Sequence, residues 1–128
     1  EDKIVPSTDT DVSWKLGGGG FISSITDLAR YGVGLLEGTL VSAETEKLMW
    51  TPQATADGTQ TTYGLGFQIF NPENPRVLGH GGAQEKTRTV LVLSPESQTG
   101  VVVMSNCEYA NPNRFAQILL PLLTPAAE

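Results

Sequence analysis

Thr87-Arg88-Thr89-Val90-Leu91-Val92-Leu93-Ser94-Pro95-Glu96-Ser97-Gln98-Thr99-Gly100-Val101-Val102-Val103-Met104 decides the fold. Val90 to Leu93 and Val101 to Met104 are apolar at every position, so strands over Thr87–Leu93 and Gly100–Met104 must be covered on both faces. The polar connection from Ser94 to Thr99 is short, which suits an antiparallel pair. Upstream, Arg76 to His80 begins another strand after the turn Asn71-Pro72-Glu73-Asn74-Pro75. Before that turn, Tyr63, Leu65, Phe67 and Ile69 alternate as one face of a strand. Gly64 and Gly66, on its other face, mark the close approach of a helix or of another backbone. The segment from Ala54 to Thr62, with Asp57-Gly58, is a loop.

Helices flank these strands. Ser24 is an N-cap with Asp27 three residues on, and Ile22, Ile25, Leu28, Gly32, Leu35 and Leu36 follow at helical spacing until Gly38, predicting a helix over Ile25 to Glu37. A second starts at Ser42, with Glu44 and Glu46 at its positive end, and stops before Pro52. Asn111 caps a last helix with Pro112 at its first position, and Pro121 ends or kinks it. Residues 1–53 are therefore mainly helical, 63–106 form antiparallel strands and 111–121 form a C-terminal helix. This is an α+β unit, an antiparallel sheet with packed helices.

Composition narrows the function. A chain of 128 residues fits one domain and buries roughly two-thirds of its unfolded surface. No apolar run approaches the ~20 residues of a membrane helix, so no transmembrane segment is expected. A net charge of −6, with eight scattered Lys and Arg, makes no basic stripe for nucleic acid. One cysteine, Cys107, cannot form an internal disulfide, leaves the compartment open, and follows an apolar run as a small buried hydrophobe would. One His and one Cys far apart are not a metal-ligand set, and neither a metal nor a cofactor is expected. The polar first thirteen residues, beginning Glu1-Asp2-Lys3, read as part of something longer.

Gly79-His80-Gly81-Gly82-Ala83 sets the chain's only histidine among glycines. His80 is either a site residue, with glycines that let a substrate touch bare backbone, or an ordinary hydrogen-bonded strand residue. Gly17 to Gly20 could cradle an anion, but no Gly-Lys-Ser/Thr follows, and a tight structural approach to the helix is the better reading. Glu85, Lys86 and Arg88 either line a cleft beside the motif or form a solvated rim.

Taken in order, Ser13 to Ser24 with Asp27-Leu28-Ala29-Arg30-Tyr31, Tyr63-Gly64-Leu65-Gly66-Phe67, Gly79-His80-Gly81-Gly82, and Ser94-Pro95-Glu96 with Gly100 to Asn106 resemble the serine β-lactamase-like hydrolases. That family includes class C β-lactamases, penicillin-binding proteins and related esterases and peptidases. The resemblance implies the C-terminal portion of a transpeptidase-like fold and an acyl-serine mechanism on a β-lactam, an ester or a D-amino-acid peptide. It implies that Ala83 N–H supplies one oxyanion donor. It further implies that His80, in place of the usual lysine, would position a substrate carboxylate or tune protons near the serine, and that Gly81 and Gly82 would leave room for substrate backbone. The motif Ser-x-x-Lys is absent, and Tyr109-Ala110-Asn111 is a coincidental match to the family's second motif, lying after the histidine with Asn111 as a helix cap. Lys86-Thr87 stand where the family has a glycine and an aromatic.

The chain alone is therefore expected to be inactive, with a small-molecule or peptide substrate only in the parent protein. Its partners are the N-terminal portion of the same protein and, through exposed edges, a second copy of itself. The resemblance favours an extracytoplasmic or periplasmic setting. The alternative is a non-catalytic binding or assembly module that kept the strands.

Overall fold

The computed structural model describes residues 9, 11, 13–73 and 76–123. The polar N-terminal stretch and the Asn74-Pro75 end of the expected turn lie largely outside them. A short 3-10 turn, Ser13–Lys15, leads into α1 (Leu16–Gly19), and α2 (Ile25–Leu36), α3 (Ala43–Met49), β1 (Gln68–Asn71), β2 (Val77–Gln84), β3 (Thr87–Ser94), β4 (Thr99–Ser105) and α4 (Pro112–Leu123) follow. The strands form one antiparallel meander in the order β1-β2-β3-β4. Among the described residues, no helix is long and apolar enough to cross a membrane.

The helix ends are set by local chemistry. Ser24 Oγ accepts from Asp27 N–H at 3.1 Å and donates to Asp27 Oδ2 at 2.7 Å, satisfying a donor at the start of α2. Gly38, at φ +64°, reverses the chain, and the N–H groups of Gly38 and Thr39 close back on the carbonyls of Leu35 and Gly34. Ser42 caps α3 through Thr45 N–H at 3.2 Å. Asn111 Oδ1 accepts from Arg114 N–H at 3.1 Å, which gives that residue the capping role expected of it.

β3 explains the two-layer core. Leu91 and Leu93 face one way and join Leu35, Trp50, Phe67, Ile69 and Leu78 in a buried cluster under α2 and α3. Val90 and Val92 face the other way and meet Val101, Ala116 and Leu120 beneath α4. Burying a side chain such as Leu78, which is 0% exposed, contributes about 1.5–3 kcal/mol. The runs read as apolar at every position are thus covered by helices on both faces.

Four expectations are corrected. The strand expected from Tyr63 begins only at Gln68: Leu65 N–H donates to Met49 O at 3.0 Å and Gly64 N–H to Phe67 O at 2.7 Å, so these donors serve a bend. Tyr63 and Leu65 consequently leave the face that buries Phe67 and Ile69. Ile22 and Ile25, expected on the buried stripe of α2, are 97% and 50% exposed, because the stripe meets the sheet only from Leu28 onward. Pro121 does not end α4, which runs on to Leu123. Cys107 is exposed, since β4 stops at Ser105 and the chain turns there, with Cys107 N–H bonded to Ser105 Oγ.

The loop before β1 carries an acid-sensitive turn. The hydroxyl of Thr55, and then the N–H of Thr59, donate to Asp57 and hold its carboxyl at about 2, below the ordinary 3.8. A folded-state pKa below the unfolded one contributes stability that is present above the unfolded value. It is lost as pH falls from 3.8 toward about 2. Asp57→Asn is expected to flatten the pH dependence of unfolding in that window. An ordinary carboxylate titration of Asp57 by carbon NMR would contradict this.

Candidate active-site wall

β1 pairs with β2 only as far as Gln68 opposite Gly79, so among the described residues His80 to Gln84 have no strand on that side, and this open edge defines the candidate site. Gln84 and Thr87 flank a two-residue loop, Glu85-Lys86, and residues flanking such a loop form a hydrogen-bonded pair. Alternation along the hairpin then directs the backbone of His80 and Gly82 to β3. The N–H and C=O groups of Gly81 and Ala83 turn outward to the open edge.

His80 is opposite Leu91 and so lies on the α2 face, two residues beyond the buried Leu78. Its ring is exposed to a cleft of about 650 Å³ whose lining includes Leu28, Tyr31, Met49, Tyr63 and Phe67. His80 Nδ1 lies 2.6 Å from Gly81 O, and Tyr63 meets the imidazole edge-on, with ring centroids 5.8 Å apart at 86°. On the opposite face, Gly81, Gly82 and Ala83 border a second hollow of about 400 Å³ with Arg88 and Asn111. The open edge therefore runs between two concavities, and a ligand along it would meet His80 on one side and bare backbone in the middle.

The glycine-rich segment closes one end of the cleft. Gln84 Nε2 donates to Gly19 O at 3.2 Å, and Lys15 Nζ donates to Gln84 Oε1 at 2.6 Å. Gly17 to Gly19 line the cleft beside His80. The expected tight structural approach to α2 is an α-helical turn of its own, α1, and the partner that pins it, 65 residues away, carries no signal readable in the sequence. Tyr63 was likewise read only as a strand residue. Its ring reaches His80 from the arm of the Gly64–Phe67 turn, where Tyr63 makes an isolated antiparallel bridge to Gln68 of β1.

The flanking charges divide. Glu85 and Lys86 occupy the hairpin turn, 3.5 Å apart, with Lys86 at φ +59°. Arg88 Nη1 donates to the carbonyls of Gln84 and Thr87 at 2.6 and 2.8 Å, bracing the hairpin. Tyr109 is 88% exposed, and Asn111 acts as the α4 cap described above.

Residues 1–124 match the family model described as Beta-lactamase. The chain is also 28% identical over 106 residues to a putative penicillin-binding protein, PbpX, of Bacillus subtilis (strain 168), an alignment covering 83% of this chain and 25% of that protein. It thus spans a quarter of the length of this curated relative. With the family model matched over nearly the whole chain, the open-edged strand and its His-Gly-Gly segment stand in a domain that belongs to the beta-lactamase family.

Proposed function

We propose that this chain is the C-terminal part of a serine hydrolase and supplies one wall of its acyl-transfer site. The reading is carried by the open edge of β2, which offers the Ala83 N–H beside a cleft containing His80. No serine of the chain has a lysine three residues later, so the nucleophile comes from an N-terminal portion of the same protein. The serine oxygen attacks the substrate carbonyl and forms a C–O bond; the leaving group departs with a proton, giving an acyl-serine. Water then attacks that ester, releasing the acid and restoring the serine hydroxyl.

Ala83 N–H donates to the oxyanion that develops in both steps, the kind of contribution a fixed backbone dipole makes without reorganisation. Gly81 and Gly82 let the substrate backbone approach, and His80 contacts the substrate from the cleft. The N-terminal portion also covers the outer edge of β4 and the exposed Phe21 and Ile22; without it, the same surfaces drive self-association.

Treatment of the full-length protein with a fluorophosphonate or penicillin probe, followed by mass spectrometry, tests the proposal. A stoichiometric adduct on one serine outside these residues is expected. Its absence would favour a binding or assembly module. His80→Ala in that protein is expected to lower kcat/KM by roughly tenfold or more, equivalent to ~1.4 kcal/mol of transition-state stabilisation, with the melting temperature nearly unchanged. Full activity with a clearly lowered melting temperature would make His80 a structural residue.

A further inference from the structure

The 2.6 Å contact between His80 Nδ1 and Gly81 O determines where the imidazole proton resides. A carbonyl oxygen only accepts, so Nδ1 carries the hydrogen, and in the neutral ring Nε2 is left as an acceptor. Tyr63, packed edge-on against the ring, holds it in this orientation. Among the described residues, the other side chains lining the cleft are uncharged: Leu28, Tyr31, Met49, Leu65, Phe67 and Leu91 give it an apolar and aromatic body, with Thr89 beside them. The cations around β2 are engaged elsewhere: Arg76 pairs with Glu96, Lys86 with Glu85, Arg88 braces the hairpin carbonyls, and Lys15 donates to Gln84 Oε1.

Against the neutral ring, a carboxylate entering this cleft would place its lone pairs against those of Nε2 and leave water for an apolar surface, a costly transfer with no Lys or Arg side chain among the described lining residues to meet it. An uncharged acyl chain instead gains the apolar contact. We infer that the wall selects uncharged esters with an apolar acyl group over substrates bearing a carboxylate, an inference that rests on the hydrolase reading above. The reaction is R–CO–OR′ plus water giving R–COOH and R′OH, through the acyl-serine already described. His80 in this arrangement is a specificity-determining acceptor rather than the anchor of an anion.

Two matched ester pairs on the full-length protein test the inference. 4-Nitrophenyl hexanoate and the 4-nitrophenyl monoester of adipic acid differ only by a carboxylate in place of the terminal methyl of the acyl chain. The hexanoyl esters of 4-hydroxybenzamide and 4-hydroxybenzoate place the charge on the leaving side. After correction for alkaline hydrolysis rates, each neutral member is expected to be favoured in kcat/KM by roughly tenfold or more, and His80→Lys to narrow both ratios by a similar factor. Nitrogen NMR of the labelled protein, assigned with His80→Gln, is expected to show Nδ1 protonated and Nε2 bare at alkaline pH. Equal or reversed preference in an enzyme that still acylates its serine overturns the selectivity and leaves the hydrolase reading intact. A bare Nδ1 overturns the tautomer, and no turnover of any ester together with no serine adduct overturns both readings.

Discussion

Gly79→Val is expected to destabilise the domain by about 3 kcal/mol, whereas Gly81→Ala, two residues along the same strand, is expected to change stability by less than about 1 kcal/mol. A Cβ built at Gly79 overlaps the carbonyl oxygen of Leu91, which is backbone within the central strand pair and cannot move aside without parting β2 from β3. At Gly81 the nearest atom is Thr89 O, at 3.7 Å, an ordinary contact. Gly82 is intermediate: its Cβ would meet the Thr89 hydroxyl, a side-chain atom that can rotate away. The first glycine of the motif therefore answers to packing and the second to access at the open edge. Denaturant unfolding of the two variants measures the contrast. Equal midpoints would mean that β2 and β3 lie further apart at Gly79 than described, while a large loss at Gly81 would remove the distinction between structural and substrate-facing glycines.

That contrast also shows what the sequence makes legible. The strands β3 and β4 were readable because Val90 to Leu93 and Val101 to Met104 have no polar position to expose, so both faces had to be covered. α2 was readable because Ser24, Asp27 and Gly38 mark its ends by local hydrogen bonding and backbone conformation, which depend on no distant partner. Tyr63 to Phe67 misled because alternating residues mimic a strand, while the donors of Gly64 and Leu65 go to Phe67 and Met49 instead. Only tertiary geometry sets that choice. The Gly79-His80-Gly81-Gly82-Ala83 segment stood out by composition. Its two useful properties, an unpaired edge and a ring held by Gly81 O and Tyr63, follow from where β1 stops and from a bend in a distant loop.

Purified alone, these 128 residues are expected to give no measurable hydrolysis of a chromogenic β-lactam or a nitrophenyl ester, a complete loss relative to the proposed parent enzyme. Backbone donors and an imidazole can stabilise a developing oxyanion and handle protons, but covalent acyl transfer also needs an activated nucleophile. Three serines, at the start of α2 and at the ends of β3 and β4, are poor candidates. Ser24 Oγ is committed to Asp27, as cap acceptor and as donor to its carboxylate. Ser94 is fully buried, on the strand beneath the core. Ser105 Oγ accepts from Cys107 N–H beyond the far side of β3. None has a lysine three residues on to take its proton. A fluorophosphonate adduct on any of these serines, found by mass spectrometry of the purified chain at unit stoichiometry, would overturn the expectation and relocate the chemistry within this chain. An unlabelled chain, with a labelled serine elsewhere in the full-length protein, would instead divide the work physically. The upstream portion then supplies the bond-forming oxygen, and β2 supplies the wall against which the acyl group is held.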